Sequence, residues 1–378
     1  MAGMTSIERV DKAMNLEEPD RVPCAPLVGY YTAAAAGMTV AEVFYDPDKA
    51  EKAWEITYKK HGSAFDMASP INWFPMHLLT YPDMFSTYFV DWSLPGRERG
   101  ANYIPNLKER AREDPVMRES DYDLIIEDGV YHLFSLRRAG LSEFMHPLQI
   151  IPQFNKYNKK WREEYKVPTM IDHGINGPFD VLSVLRGSTN FMIDLHKRPE
   201  KVQAAIEAMQ DGLIAGHIDI CKRKKAVTTI LGAARGSADF ISPKMFEKLV
   251  LPFLVRASHA LVEAGFRVQY HFDTNWTPML EYFKELPPKS GFLHLDERTD
   301  IFKAKEILGD HLCLLGNLKP SLFSFGTPQE VERQTREIIE KCAPGGGLII
   351  SAEFPDLETK PELVQAMVDA TLKYGVYA

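Results

Sequence analysis

Eight short apolar runs, separated by longer segments with helical character, limit what this chain can fold into more than any other feature. They cover residues 21–27, 64–68, 169–175, 227–233, 266–273, 291–296, 312–317 and 348–353. Strands that alternate with helices build a parallel sheet, because each helix carries the chain back across the sheet to start the next strand. The helix punctuation agrees. Ser242-Pro243 supplies a cap and a first-turn proline for a helix over 245–263, with Gly265 placed to end it, and Thr327-Pro-Gln-Glu330 has the form of a capping box. Eight strand-helix units in 378 residues, 45% of them hydrophobic, predict one α/β domain over 1–378, a (β/α)8 TIM barrel.

Chemistry in such a barrel sits at the C-terminal ends of the strands. The fifth run ends in Tyr270-His-Phe-Asp273 and the eighth in Ser351-Ala-Glu353. Residues two apart on a strand share a face, so His271 and Asp273 point the same way. With Glu353 they are the candidate catalytic residues and a candidate zinc site with an open position, built from one imidazole and two carboxylates. Other polar residues at strand ends are candidates for binding substrate: His173 and Asn176 on the third strand, Asn275 beyond the fifth, Asp296 at the sixth and Asn317 at the seventh.

Residues 71–165 interrupt the rhythm. The segment is far longer than a usual connection within a βα unit and is rich in aromatic, proline and charged residues, which predicts an insertion between strands two and three that lids the barrel mouth. Trp73, Phe74, Met76, Phe85, Tyr88, Phe89 and Trp92 would line a pocket for a flat, apolar substrate or form a satellite core. Gly345-Gly-Gly347 precedes a strand, whereas a phosphate cradle follows one, so it does not predict nucleotide binding.

Charge narrows the partners. The formal net charge is −8, with acids and bases mixed along the chain, so no basic face for nucleic acid or anionic lipid is expected. No apolar run approaches the roughly 18 residues that a membrane span needs. The opening residues read as an amphipathic helix and not as a signal peptide, which predicts a cytoplasmic protein, with assembly into oligomers left open. Cys24, Cys221, Cys313 and Cys342 lack the spacing of a metal knuckle, a redox pair or a disulfide framework and are expected to be buried packing residues.

Several strings, in order along nearly the whole chain, carry a family likeness. They are Glu17-Glu-Pro-Asp-Arg-Val-Pro23, Gly177-Pro-Phe179, Phe191-Met-Ile-Asp-Leu195 before Pro199-Glu200, Asp239-Phe-Ile-Ser-Pro-Lys-Met-Phe246 before Leu251-Pro-Phe253, and Leu315-Gly-Asn317. In this order the chain resembles the uroporphyrinogen decarboxylase superfamily, which includes corrinoid-dependent methyltransferases. The decarboxylases grip their substrate's carboxylates with arginines just after strand one. Here that stretch, Ala25 through Ala36 and including Tyr30, has no positive charge, so a substrate with many carboxylates would lack its bidentate partners. The methyltransferase branch carries zinc on a His-x-Cys pair after strand five and a cysteine after strand eight. Those places fall on His271, Asp273 and Glu353, so carboxylates stand where the branch has thiolates.

That resemblance implies a zinc enzyme that exchanges methyl groups with a separate corrinoid protein, since the chain has no base-off cobalamin string of its own. Zinc bound by thiolates suits activation of a thiol, whereas carboxylate ligands leave a harder Lewis acid that suits an ether oxygen. The expected reaction is demethylation of a methoxylated, aromatic compound, with Trp73 and Tyr30 among the substrate contacts. The competing expectations are a decarboxylase of a small or aromatic acid and a methylcobamide:thiol methyltransferase.

Overall fold

The computed structural model describes residues 3–68, 112–135, 155–354 and 356–377, with short pieces between 92 and 107. Those pieces include a two-residue antiparallel pairing of β1 (Trp92–Ser93) with β2 (Asn106–Leu107). Most of the 71–165 segment, including Trp73, Phe74, Met76, Phe85, Tyr88 and Phe89, lies outside the described residues.

Six parallel strands form one sheet in sequence order: β3 (His173–Asn176), β4 (Thr228–Gly232), β5 (Arg267–Phe272), β6 (Gly291–Leu295), β7 (Cys313–Leu318) and β8 (Leu348–Ala352). All six coincide with apolar runs read from the sequence. The first two runs complete the ring through isolated pairings. Cys24 and Leu27 pair in parallel with Ile350 and Glu353, and Ala68 pairs with Thr169. Asp66 N–H donates to the Cys24 carbonyl at 2.6 Å, and Ala68 N–H to the Pro168 carbonyl at 2.8 Å. The fold is therefore the α/β (β/α)8 barrel expected.

Period-two alternation separates two cores. Val268, Tyr270 and Phe272 of β5, with Leu314 of β7 and Leu348 and Ile350 of β8, pack outward against the helices in the large apolar cluster. Ala25, Met67, Met170, Phe292, Cys313, Leu315 and Ile349 face inward, where Val10, Ala13 and Met14 join them. Those last three come from the helix Ser6–Met14, which begins with a capping box between Thr5 and Glu8 and plugs the N-terminal end of the barrel. An ionic lock holds this end shut. Buried Asp66 accepts from Arg9 Nη1 and Arg21 Nη1 at 2.7 Å each, from Ser6 Oγ at 2.8 Å and from the Cys24 N–H at 2.8 Å.

Two local expectations meet different outcomes. The capping box at Thr327 is present, opening the helix Pro328–Cys342. The single helix expected over 245–263 is instead two, Pro243–Leu249 and Leu251–Glu263, broken at Val250. Pro252 explains the break, since it has no N–H for the carbonyl four residues back and its ring crowds that carbonyl. Gly265 adopts φ +92° just past the second helix, as a terminating glycine does. All four cysteines are buried and none forms a disulfide. Among the described residues, no helix is long and apolar enough to cross a membrane.

Candidate functional site

The inward face of the strands, followed to their C-terminal ends, brings Gln269 and His271 of β5 next to His294 of β6, with Asn317 of β7, Ser351 of β8 and Glu353 just beyond. His271 and His294 are direct partners in the strand register. Their Nδ1 atoms lie 2.8 Å apart and their rings 4.8 Å apart between centroids. Asp273 Oδ1 lies 3.2 Å from His271 Nε2, and Glu353 Oε1 lies 4.0 Å from His294 Nε2. A small hollow is lined by His294, Asp296, Asn317, Ser351 and Glu353.

Each charge here is set by its neighbours. Burial alone would lower the His271 pKa, but the charge and hydrogen bond of Asp273, with Glu353 and Asp296 behind, outweigh it and hold His271 up at about 9. His271 is then an imidazolium that donates Nε2–H to Asp273 and Nδ1–H to His294. Burial, followed by the positive charge of His271, pushes His294 down to about 3, so it stays neutral and accepts. Asp273 is held down at about 2 by His271 against the opposing effect of burial. Glu353 is pushed up to about 7 by burial and by Asp273, Asp296 and Glu297, against the pull of His271.

The His271–Asp273 pair gives a stability prediction for the metal-free protein. A histidine whose folded pKa is raised contributes stability that is fully present below its unfolded value, near 6.5, and is lost as pH rises through about 9. Asp273→Asn removes the main cause, leaving burial to dominate. The His271 pKa is expected to drop below its ordinary value, and the variant to lose most stability relative to the parent between about pH 4 and 6.5, because the contribution of Asp273, held at about 2, fades as pH falls below its unfolded value. Imidazole NMR titration of both proteins checks this; an unchanged His271 titration would show that Asp273 is not its partner in solution.

Among the described residues, the side chains able to hold a metal ion together are His271, His294 and Glu353, whose ligand atoms all lie within 4.8 Å of one another. Ligand atoms around a tetrahedral zinc are about 3.3 Å apart, so an ion need draw these side chains together only modestly. Two of the three residues expected from the sequence are in this group. Asp273, the third, stands behind His271, where it orients the ring. His294 was not foreseen, although it lies two residues before the candidate Asp296 and therefore on the same face.

The remaining candidates divide. Asn317 and Asp296 line the hollow. The Asn317 Nδ2 donates to the Asp296 and Thr299 carbonyls at 3.0 and 2.8 Å, which fixes the loop after β6. Asn176 ends β3, and its Oδ1 would stand 2.3 Å from a Cβ at Gly232, so β4 must end in glycine there. Asn275 shapes its own turn, its Oδ1 accepting the Thr277 N–H at 3.0 Å. His173 requires correction: it opens β3 and does not end it, so it lies away from the mouth. Its ring faces outward, stacked on His217 at 4.8 Å, with Nδ1 3.3 Å from Lys224 Nζ. Tyr30 follows the Leu27–Glu353 pairing and packs in a satellite apolar cluster with Ala33, Val40 and Phe44. Trp73 is outside the described residues.

Known proteins agree with this fold. A methyltransferase from Methanosarcina mazei superposes over 98% of this chain and 99% of its own, with a TM-score of 0.69 and 17% sequence identity. Uroporphyrinogen decarboxylase from Syntrophotalea carbinolica is 31% identical over 132 residues, 34% of this chain and 37% of that enzyme. The enzyme of the same name from Methylococcus capsulatus is 34% identical over 86 residues, 22% of this chain and 24% of its own. The matched stretches thus span between about a quarter and little more than a third of those relatives. The family model for uroporphyrinogen decarboxylase (URO-D) matches residues 156–374, which takes in every strand from β3 to β8 and the whole candidate site. The chain belongs to the uroporphyrinogen decarboxylase (URO-D) family.

Proposed function

We propose that this chain is a zinc-dependent methyltransferase that moves a methyl group from a methoxylated, aromatic compound to the cobalt of a separate corrinoid protein. The observation that carries the reading is the donor set at the mouth: two imidazoles and a carboxylate within 4.8 Å, with no thiolate among them. His271, His294 and Glu353 would hold the ion, which supplies Lewis acidity toward an ether oxygen. Asp273 orients the His271 ring through its 3.2 Å contact. Ser351, whose Oγ is buried without a hydrogen-bonding partner among the described residues, lines the same hollow and offers a donor to a substrate oxygen. The methyl carbon leaves oxygen for cobalt(I), which gives up the electron pair of the new bond, and the aryl oxide left behind takes a proton from water. The M. mazei methyltransferase, alike over nearly its full length, supports the reaction class. The corrinoid protein would dock at the open mouth of a cytoplasmic enzyme.

The matched decarboxylases favour one competing reading, a decarboxylase acting on a small or aromatic acid. The two separate in one experiment. Metal content is measured on purified protein, which is then incubated with reduced corrinoid protein and a methoxyarene. Stoichiometric zinc and the rise of methylcobalt absorbance are expected, with the rise lost in His271→Ala. Methylcobalt formed undiminished by His271→Ala would overturn the role of the metal, and carbon dioxide released from an aromatic acid without corrinoid would support the decarboxylase.

A further inference from the structure

Gln269 lies two residues before His271 on the inner face of β5, fully buried. Its Nε2 is 3.3 Å from His294 Nδ1, while its Oε1 is buried with no hydrogen-bonding partner among the described residues. An idle buried acceptor is destabilising, because the water it gave up is not replaced, so packing alone would be better served by leucine or methionine at this place. We propose that Gln269 is a positioning residue that sets which nitrogen of His294 faces a bound divalent metal ion. The inference rests on His271, His294 and Glu353 being the ligands.

The two ends of a carboxamide have nearly the same shape but opposite hydrogen-bonding character. With nitrogen forward, as here, Gln269 and the Nδ1–H of His271 both donate to His294 Nδ1. His294 then carries its own proton on Nε2, the atom 4.0 Å from Glu353 Oε1. This is the arrangement of a metal-free site. A half-turn of the carboxamide puts oxygen forward. Gln269 then accepts the Nδ1–H of His294 and leaves a lone pair on Nε2, as a ligand requires. One glutamine thus serves both states. A leucine serves neither, and a glutamate serves the metal-bound state alone.

The test uses the full chain and zinc alone, with dissociation constants from competition against a chromophoric chelator and unfolding temperatures of the metal-free proteins. Gln269→Leu is expected to bind zinc 10- to 100-fold more weakly than the parent, as loss of an outer hydrogen-bond partner does. Its metal-free form is expected to unfold at or above the parent temperature, because the idle acceptor is gone. Gln269→Glu is expected to bind at least as tightly as the parent. Zinc affinity unchanged in Gln269→Leu would overturn the role of Gln269 and leave the metal site standing. So would weak binding in Gln269→Glu, or a metal-free Gln269→Leu less stable than the parent. A parent protein that takes up no zinc would overturn the metal site itself and Gln269 with it.

Discussion

His294→Ala is expected to abolish stoichiometric zinc binding and to lower the rate of methyl transfer by at least about a hundredfold, the scale on which a lost polar partner at a reacting oxygen is felt. His294 is the middle member of the group, with His271 Nδ1 at 2.8 Å on one side and Glu353 Oε1 at 4.0 Å on the other. Without it two of the three donors remain, still within 4.8 Å of each other but too few to hold the ion tightly. The ring is buried on β6, so its removal also leaves a small cavity. His294→Gln separates the two effects, since it restores most of the volume without the imidazole. Loss of zinc in both variants, with a near-parental unfolding temperature in His294→Gln, supports the ligand role. Full zinc content in His294→Gln would instead place the ion on Asp273 and remove His294 from the site.

Asp66→Ala is expected to cost about 3–5 kcal/mol of folding stability, the usual penalty for breaking a buried ion pair and stranding its partners. Two arginines, a hydroxyl and a backbone N–H converge on this one carboxylate. Among the described residues, Arg21 keeps only the Val22 carbonyl at 3.0 Å when Asp66 is gone, whereas Arg9 keeps Asp20 at 2.7 Å. The larger loss therefore comes from Arg21 and from the Cys24 N–H in the barrel wall. Asp66→Asn, which retains one acceptor, is expected to lose about half as much. Urea unfolding of the three proteins at one pH measures the difference. A shift below about 1 kcal/mol for Asp66→Ala would mean that the lock contributes specificity of closure and not stability.

The barrel was legible because its signal is periodic. Runs of five to eight apolar residues bounded by helix caps identify parallel strands whatever their order in space, and all eight runs take their places in the ring. The break at Val250 was legible too, in Pro252, but a continuous apolar helical pattern on both sides concealed it. The site was legible where a polar residue interrupts the end of a run, as at His271 and Glu353. His294 sits inside Gly291-Phe-Leu-His-Leu295, five residues all buried, and an isolated histidine in such a strand reads as a satisfied core residue. Only its register opposite His271 reveals it, and register between strands 23 residues apart is not written in either strand. His173 failed for the opposite reason. The apolar run 169–175 places it near a strand end, whereas the strand begins there, and the partners that hold it, His217 and Lys224, come from the long helix Pro199–Arg223 and its cap, outside the barrel.

Glu353 owes its position to the other end of the chain. Leu27 N–H donates to the Ala352 carbonyl at 2.9 Å, and Phe354 N–H donates to the Leu27 carbonyl at 3.0 Å, so the residue is clasped on both sides by the first strand. His271 and His294, 23 residues apart on adjacent strands, pair across a short stretch of chain. The carboxylate joins them only when segments more than 300 residues apart have zipped together. For the metal ion proposed above, occupancy would thus depend on the seating of residues 21–27, so that loading with the ion and sealing of the ring would go together.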